Sequence, residues 1–520
     1  MNPARAVDLR LAPAAVTGWL VTAAGLLWRP AWALVVLALA VLAMAAAARW
    51  GGGAVGGAAI AAVAVVGTGF AASLALRVHS VEHHVLTTRF GQTVPVVLTP
   101  SESARVIAGG RLMFNATVQK VDGAPASGRV LVYTPAVGYG PVDAGRPMAL
   151  QTRVGRPQRS DLTVARLTAI GPPRLGTAST AQRAAARVRS DFADTARMSL
   201  GPGQAAVLPG LVLGDTSALS AEVSTEFRRS GLTHLMAVSG ANVTIVCGTV
   251  LFAAALAGPR IAVGLAALTL FGFVLVVQPS PSVLRAAAMG SVMLLGILVH
   301  RRRQAMPALS ASVLVLITFG PQLAVDAGFA LSVVATGALV LIAPGWTRRL
   351  EARGWPTPLA AAVSVAVAAQ LVTAPLVAAA FGSVSMVAVL ANLLVAPVIP
   401  VITVLGTAAA ATAWFAPGIA QLLIRFTGPE LWWLSTVAHV SAGLPAAAVR
   451  VPAGWPGAAL VIGVVGVVLL AWWWVRRRPM TPSRGEPTHQ HTAPGARRRR
   501  TVGRAGGGGG GGRGPPAGRQ

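Results

Sequence analysis

Thr233-His-Leu-Met-Ala-Val-Ser-Gly-Ala-Asn-Val243 is the stretch on which the reading of this chain turns. It is apolar enough to lie in a membrane, yet Thr233, His234, Ser239 and Asn242 stud it with polar groups. Ser239-Gly240 is a weak continuation for a helix. In hydrocarbon a broken helix is tolerated only where it is buried in protein or lines a water-filled cavity, because freed backbone groups find no water there. The run therefore predicts an interrupted span with a polar purpose.

Outward from it the chain reads as membrane text. With 54% hydrophobic and 11% charged residues over 520 positions, it is too apolar for a soluble enzyme. Apolar runs long enough to cross the bilayer as helices fall at 11–28, 31–49 and 54–76, and resume at 232–257, 260–278, 283–299, 305–319, 323–342, 359–380, 384–414, 420–442 and 457–475. The 384–414 run carries Pro397 and Pro400 as candidate breaks. The expected fold is a polytopic α-helical membrane protein of about 12 spans. Short loops holding Arg301 to Arg303, Arg348, Arg349, Arg353 and Arg476 to Arg478 should be cytoplasmic, whereas Pro279 to Pro281, Gly320 to Gln322 and Gly382 to Ser383 carry no basic residue. Twelve spans then place both termini in the cytoplasm of a multi-pass cell-membrane protein.

Between Arg77 and Gln204 the pattern changes. Strand-like runs occur at Val94–Leu98, Leu112–Val121, Arg129–Tyr133, Met148–Val154 and Asp161–Ile170. Leu112, Phe114, Ala116 and Val118 alternate with Met113, Asn115, Thr117 and Gln119, the period-two signature of a strand with one buried face. Five short strands in so small a space suit a barrel, an OB-fold first, lying outside the cytoplasm. The expected division is 1–77 N-terminal spans, 78–176 OB-like β domain, 177–204 helical connector, 205–475 membrane domain, and 476–520 a basic, Gly-rich, disordered tail.

The net charge of +28 divides unevenly. Residues 77–204 hold sixteen Lys and Arg against seven Asp and Glu, and the tail beyond Val475 holds a further excess that is read as passive. A basic OB-like domain suits a nucleic-acid backbone, with rings stacking on bases. Tyr133 and Tyr139, both in YTPAVGY, with Lys120, Arg111 and Arg129, are the DNA-binding candidates; two surface aromatics in a turn are the plainer reading.

Within or beside the spans, Asp215, Arg228, Arg229, His234, Ser239, Gly240, Asn242, Arg285 and Asp326 are the candidates for a polar pathway, since intramembrane ionisable groups are expensive and functional by default. Each has a bland alternative. Asp215, Glu222, Glu226, Arg228 and Arg229 suit ion pairs in an amphipathic segment, Arg285 can snorkel to the surface, Asp326 can cap its helix, and Gln370 and Asn392 suit hydrogen bonding between helices. His79, Glu82 and His83 spell HxxEH, two metal ligands and a base on one helix face, but no third ligand stands out and no metal is expected. Cys247 is the only cysteine, which leaves no disulfide and no thiolate site. No cofactor or phosphate-binding loop is expected, and the chain is read as a non-enzyme.

GLVLGDTSALS from Gly210, the THLMAVSGANV run, PSVLRAAAM from Pro281, AGFALSVVAT from Ala327 and APLVAAAFGSVSMVAVLANLLVAPVIP from Ala374 follow one another in an order that resembles the ComEC-type competence channel family. The resemblance covers Ala205 to Val475. It implies a channel passing single-stranded DNA across the cytoplasmic membrane in natural transformation, served by a separate DNA receptor, an ATP-driven motor and a nuclease, and it leaves assembly as a homo-oligomer open. Two departures stand out. Many members have histidine two residues after the Ser-Gly, where this chain has Asn242, which cannot titrate. The metallo-β-lactamase-like domain of many members is not expected here, because beyond Val475 only His489 and His491 occur, without an accompanying Asp. The residues alone also admit a small-molecule or lipid-linked transporter on the same fold, a membrane metalloprotease, and a truncated inactive relative.

Overall fold

A computed structural model describes residues 8–477, apart from 29, 51–56, 103, 108, 137, 140–141, 143, 159–160, 237, 239, 279 and 299–304. The tail from 478 and Arg301 to Arg303 therefore lie outside the described residues.

Three helices come first, α1 (Ala12–Leu27), α2 (Pro30–Trp50) and α3 (Gly57–Glu82). The polar region then forms β1 (Thr93–Pro100), β2 (Arg105–Ile107), β3 (Arg111–Val121), β4 (Ala124–Pro135), β5 (Met148–Gly155) and β6 (Thr163–Leu175). The five expected strands are all present, and β2 is a three-residue addition. The sheet runs β1-β5-β6-β4-β3, with β2 on the outer edge of β3, and closes because β1 also pairs with β3. Only β4 and β6 pair in parallel, and the remaining ladders are antiparallel. This is a small five-stranded barrel with the connectivity expected of an OB-like domain. Alternation does the work: Phe114, Ala116 and Val118 point into a core with Leu98, Val130, Val132 and Leu167, all at most 1% exposed. Asp122 (φ +50°) and Gly123 (φ +81°) make the tight turn between β3 and β4, a left-handed pair of the kind that matches strand twist.

The helical part follows as α4 (Thr180–Ser199), α5 (Pro202–Leu213), α6 (Ala221–Arg229), α7 (Thr233–Met236), α8 (Gly240–Ala253), α9 (Pro259–Val277), α10 (Pro281–Leu298), α11 (Ala305–Phe319), α12 (Ala327–Leu341), α13 (Ala343–Glu351) and α14 (Thr357–Phe381). After β7 (Ser383–Ser385) come α15 (Ala388–Val395), α16 (Val398–Thr412), α17 (Pro417–Phe426) and α18 (Gly428–Gly443), then β8 (Ala448–Arg450) and α19 (Trp455–Arg477). Residues up to Gly466 form one compact unit; Val467 begins a second, of which only the end of α19 is described.

Sequence sets where the helices begin and stop. Ser179 and Gln182 form a reciprocal capping box at the start of α4. Pro202 opens α5 and Gly214, at φ +73°, closes it in the left-handed conformation that glycine adopts cheaply. The apolar runs are real, but several are not single helices. The expected 232–257 span is divided into α7 and α8, and 420–442 into α17 and α18 around Thr427-Gly428-Pro429. The 323–342 run starts with a 3-10 turn, Pro321–Val325, before α12. Pro397 does break the 384–414 run, for α15 and α16 meet at 56°. α5 was not expected as a separate helix, since its apolar run is only half a membrane thick. Among the described residues, four helical stretches (Ala59–Glu82, Pro259–Val277, Ala327–Glu351 and Thr357–Phe381) are long and apolar enough to cross a membrane, or five if the bent pair is one span. The fully described parts of the other apolar helices run to 10–17 residues.

Candidate functional site

Within the interrupted run α7 packs on α5 and α8 packs on α10 and α16, while α10 also meets α12. Gly240 starts α8, and Asn242 is buried at 6% exposure with its Nδ2 donating to the carbonyl of Leu211 in α5 at 3.0 Å. The last carbonyls of a helix lack internal partners, so this bond ties the end of α5 to the start of α8. Ser239 lies outside the described residues.

Arg285, one turn into α10, is 5% exposed. Its Nε donates to Ser332 Oγ of α12 at 2.7 Å, and Nη1 lies 3.1 Å from Met289 Sδ. The guanidinium also crowds the start of α8: a Cβ on Gly240 would sit 2.9 Å from Arg285 Nη2. Snorkelling to the surface is thereby excluded. Among the described residues no carboxylate pairs with it. A buried guanidinium held by one hydroxyl and one weak sulfur acceptor, beside a helix start, makes a positive focus inside apolar surroundings.

The other pathway candidates scatter. His234 is exposed, with Nδ1 3.2 Å from the Gly231 carbonyl. Asp326 is a cap, its Oδ1 accepting from Phe329 N–H at 2.7 Å, so the plainer of its two readings holds. Asp215 folds its own turn by accepting from Ser217 N–H at 3.0 Å. Arg228 and Arg229 are exposed on α6. Gln370 donates to the Ser385 carbonyl of β7, but Asn392 bonds the Ala388 carbonyl of its own helix and joins nothing to a neighbour.

The expected ion pairing of Glu226 with an arginine of α6 is replaced by a longer reach: its Oε1 lies 2.7 Å from His439 Nδ1 on α18. Together with Glu222, Thr225 and Arg229 these residues line an open cleft of about 490 Å³ between α6 and α18. No sequence pattern links positions 226 and 439. The HxxEH motif gathers no third ligand: His83 Nδ1 lies 2.9 Å from the His79 carbonyl, and the described residues hold no group of three metal-ligating side chains.

In the barrel the two tyrosines separate. Tyr139 is 4% exposed and its hydroxyl donates to the Gly171 carbonyl at 2.8 Å, which removes it as a stacking platform; burial also pushes its phenol above the usual range. Tyr133 belongs to β4 rather than to a loop, and stands half-buried on the outer face. Arg111 and Arg129 share that face, whereas Lys120 sits beyond the bulge in β3, beside β1.

Comparison with known proteins agrees with this layout. Residues 211–477 match the family model described as Competence protein. Over 200 residues, 38% of this chain, the sequence is 30% identical to ComE operon protein 3 of Bacillus subtilis (strain 168). The match spans 25% of that relative's length. No solved structure matches the chain. Since the family model covers more than half of the chain, from the end of α5 to α19, with the broken run and Arg285 inside it, the chain belongs to the competence protein family.

Proposed function

We propose that this protein takes part in DNA uptake during competence, as a non-catalytic membrane channel through which single-stranded DNA passes inward. The observation that carries the reading is Arg285, a buried guanidinium without a carboxylate among the described residues, set against the start of α8 where the interrupted run resumes as helix. A polyphosphate cannot enter hydrocarbon, and a preformed positive focus next to broken backbone supplies what phosphates lose on leaving water. On this reading the chain crosses the cytoplasmic membrane about twelve times with both termini inside, in line with the arginine-bearing loops. The barrel lies outside. On the same reading a separate receptor, an ATP-driven motor and a nuclease are its partners, and a homo-oligomer is compatible with it.

The cleft between α6 and α18 favours a second reading, transport of a small molecule, because its volume suits one and it presents both signs of charge. Its two carboxylates repel phosphate, so on the first reading DNA does not run through it. Uptake of labelled DNA separates the two. A deletion strain complemented with the wild-type gene should regain uptake and one complemented with Arg285→Gln should not; normal uptake in the uncomplemented deletion would remove the channel.

A further inference from the structure

All six strands of the β domain together carry seven Lys and Arg and no Asp or Glu; its carboxylates stand outside the strands, and one of them, Glu102, reaches β3, where its Oε1 accepts from Asn115 Nδ2 at 2.6 Å. The ladders show where these cations gather. Tyr133 of β4 faces Met113 of β3 on one side and Thr168 of β6 on the other, and Thr168 in turn faces Arg153 of β5. Two residues back along the same face, Leu131 is flanked by Asn115 and Arg166, and Arg166 pairs with Gly155, whose missing side chain leaves room for the guanidinium over β5. Arg129 and Arg111 stand at the two ends. Four contiguous strands thus contribute one arginine each around a single ring. Arg166 Nε is buried with no hydrogen-bond partner. Among the described residues the main helical packing on β6 comes from α3 and Val85–Thr88, and on this face Arg153 and Thr168 are exposed while Tyr133, Leu131 and Arg166 are half-buried.

We infer that this wall is a strand-selective nucleic-acid platform, on which one unpaired base stacks on Tyr133 while Arg111, Arg129, Arg153 and Arg166 hold the flanking phosphates. The inference rests on the DNA-uptake reading and adds a discrimination to it. Arginines attract any polyphosphate. A lone ring rewards only a base that is free to leave its stack, so Tyr133 separates single strands from duplex. The division of labour is Tyr133 for strand form and the arginines for affinity.

The test uses the full chain in nanodiscs of neutral lipid, titrated with a fluorescent oligothymidine and with a duplex of the same length. Wild type should prefer the single strand. Tyr133→Ala should weaken oligothymidine about five- to hundred-fold and leave the duplex unchanged, with Tyr133→Phe close to wild type. Arg153→Gln with Arg166→Gln should weaken both ligands and flatten the salt dependence for the single strand by about 1.4 in log–log slope, whereas Arg187→Gln on α4 should do less than half of that per charge. A Tyr133→Ala protein that keeps its preference, or a wild type without one, overturns the platform. So does binding that disappears in anionic nanodiscs, which would mean that the wall lies on lipid. Channel function stands or falls separately, on uptake by the deletion strain.

Discussion

Replacing Arg285 with methionine should make the protein more stable and less active, an unusual pairing of signs. Methionine keeps the unbranched stem and removes the charge. A cation withdrawn from water costs several kcal/mol even after relaxation, taken here as about 4. Against this, the charge-assisted bond to Ser332 at 2.7 Å returns about 1.5–3 kcal/mol, and the contact with Met289 adds little because a thioether is a weak acceptor. The difference leaves Arg285→Met about 1–2.5 kcal/mol more stable, readable as a shifted midpoint in SDS-induced unfolding of the detergent-solubilised protein. Uptake should move the other way. Loss of one charge-assisted contact to a passing phosphate is worth the same 1.5–3 kcal/mol, so transfer should slow about ten- to hundred-fold. Arg285→Lys keeps the charge without the planar fork and should fall between. If Arg285→Met unfolds more easily by over about 1 kcal/mol while uptake is unaltered, the guanidinium is a structural prop and the reasoning fails.

Asn242→Leu removes the donor to Leu211 and strands a buried carbonyl, so it should cost about 1–3 kcal/mol in the same unfolding assay, while Thr244→Ala, exposed on the next half-turn of α8, should cost less than about 0.5 kcal/mol. Gly231→Ala should be worse than either: its φ of +78° is costly for any side chain, and the new Cβ would overlap Ala388 Cβ and lie 3.1 Å from Ala388 Cα, so purified yield and melting temperature should both drop. The barrel should weaken in acid. His84 Nδ1 accepts from Leu86 N–H, its Nε2 is buried without a partner, and desolvation holds its imidazole below the usual value of about 6.5. With the folded value depressed, the unfolded chain binds the proton first. Stability is therefore complete above about pH 6.5 and declines as pH falls towards the folded value, and His84→Asn should flatten that decline in melts between pH 5.5 and 7.5.

The barrel was legible because one face of each strand is buried and the period is two: Leu112, Phe114, Ala116 and Val118 announce it, and each is at most 8% exposed. β2 was not, since three residues show no period. Hydropathy located the apolar helices but not their breaks, because a span interrupted at Thr427-Gly428-Pro429 reads as apolar as a continuous one. Ser239-Gly240, a helix-weakening pair inside a polar-studded run, and Pro397 were the readable exceptions. At the site, the sequence left Arg285 open between the surface and a pathway, and only its packing against α8 and α12 shows it buried. The Glu226–His439 contact and the meeting of Arg153 and Arg166 beside Tyr133 were not legible either, since cross-strand register and helix docking join positions that share no local pattern.

The small ribbon of β7 and β8 sets an order of assembly. Ser383, Val384 and Ser385 pair with Arg450, Val449 and Ala448, and everything from α15 to α18 is strung between them. Synthesis at roughly 5–20 residues per second puts about 3–13 s between the two strands leaving the ribosome, during which β7 has an open edge and nothing to close it. The four intervening helices cannot be locked in place until that interval ends. A ribosome that stalls inside it releases a chain with a bare strand next to α14, which makes completion of this ribbon a natural point at which the cell can tell finished molecules from unfinished ones.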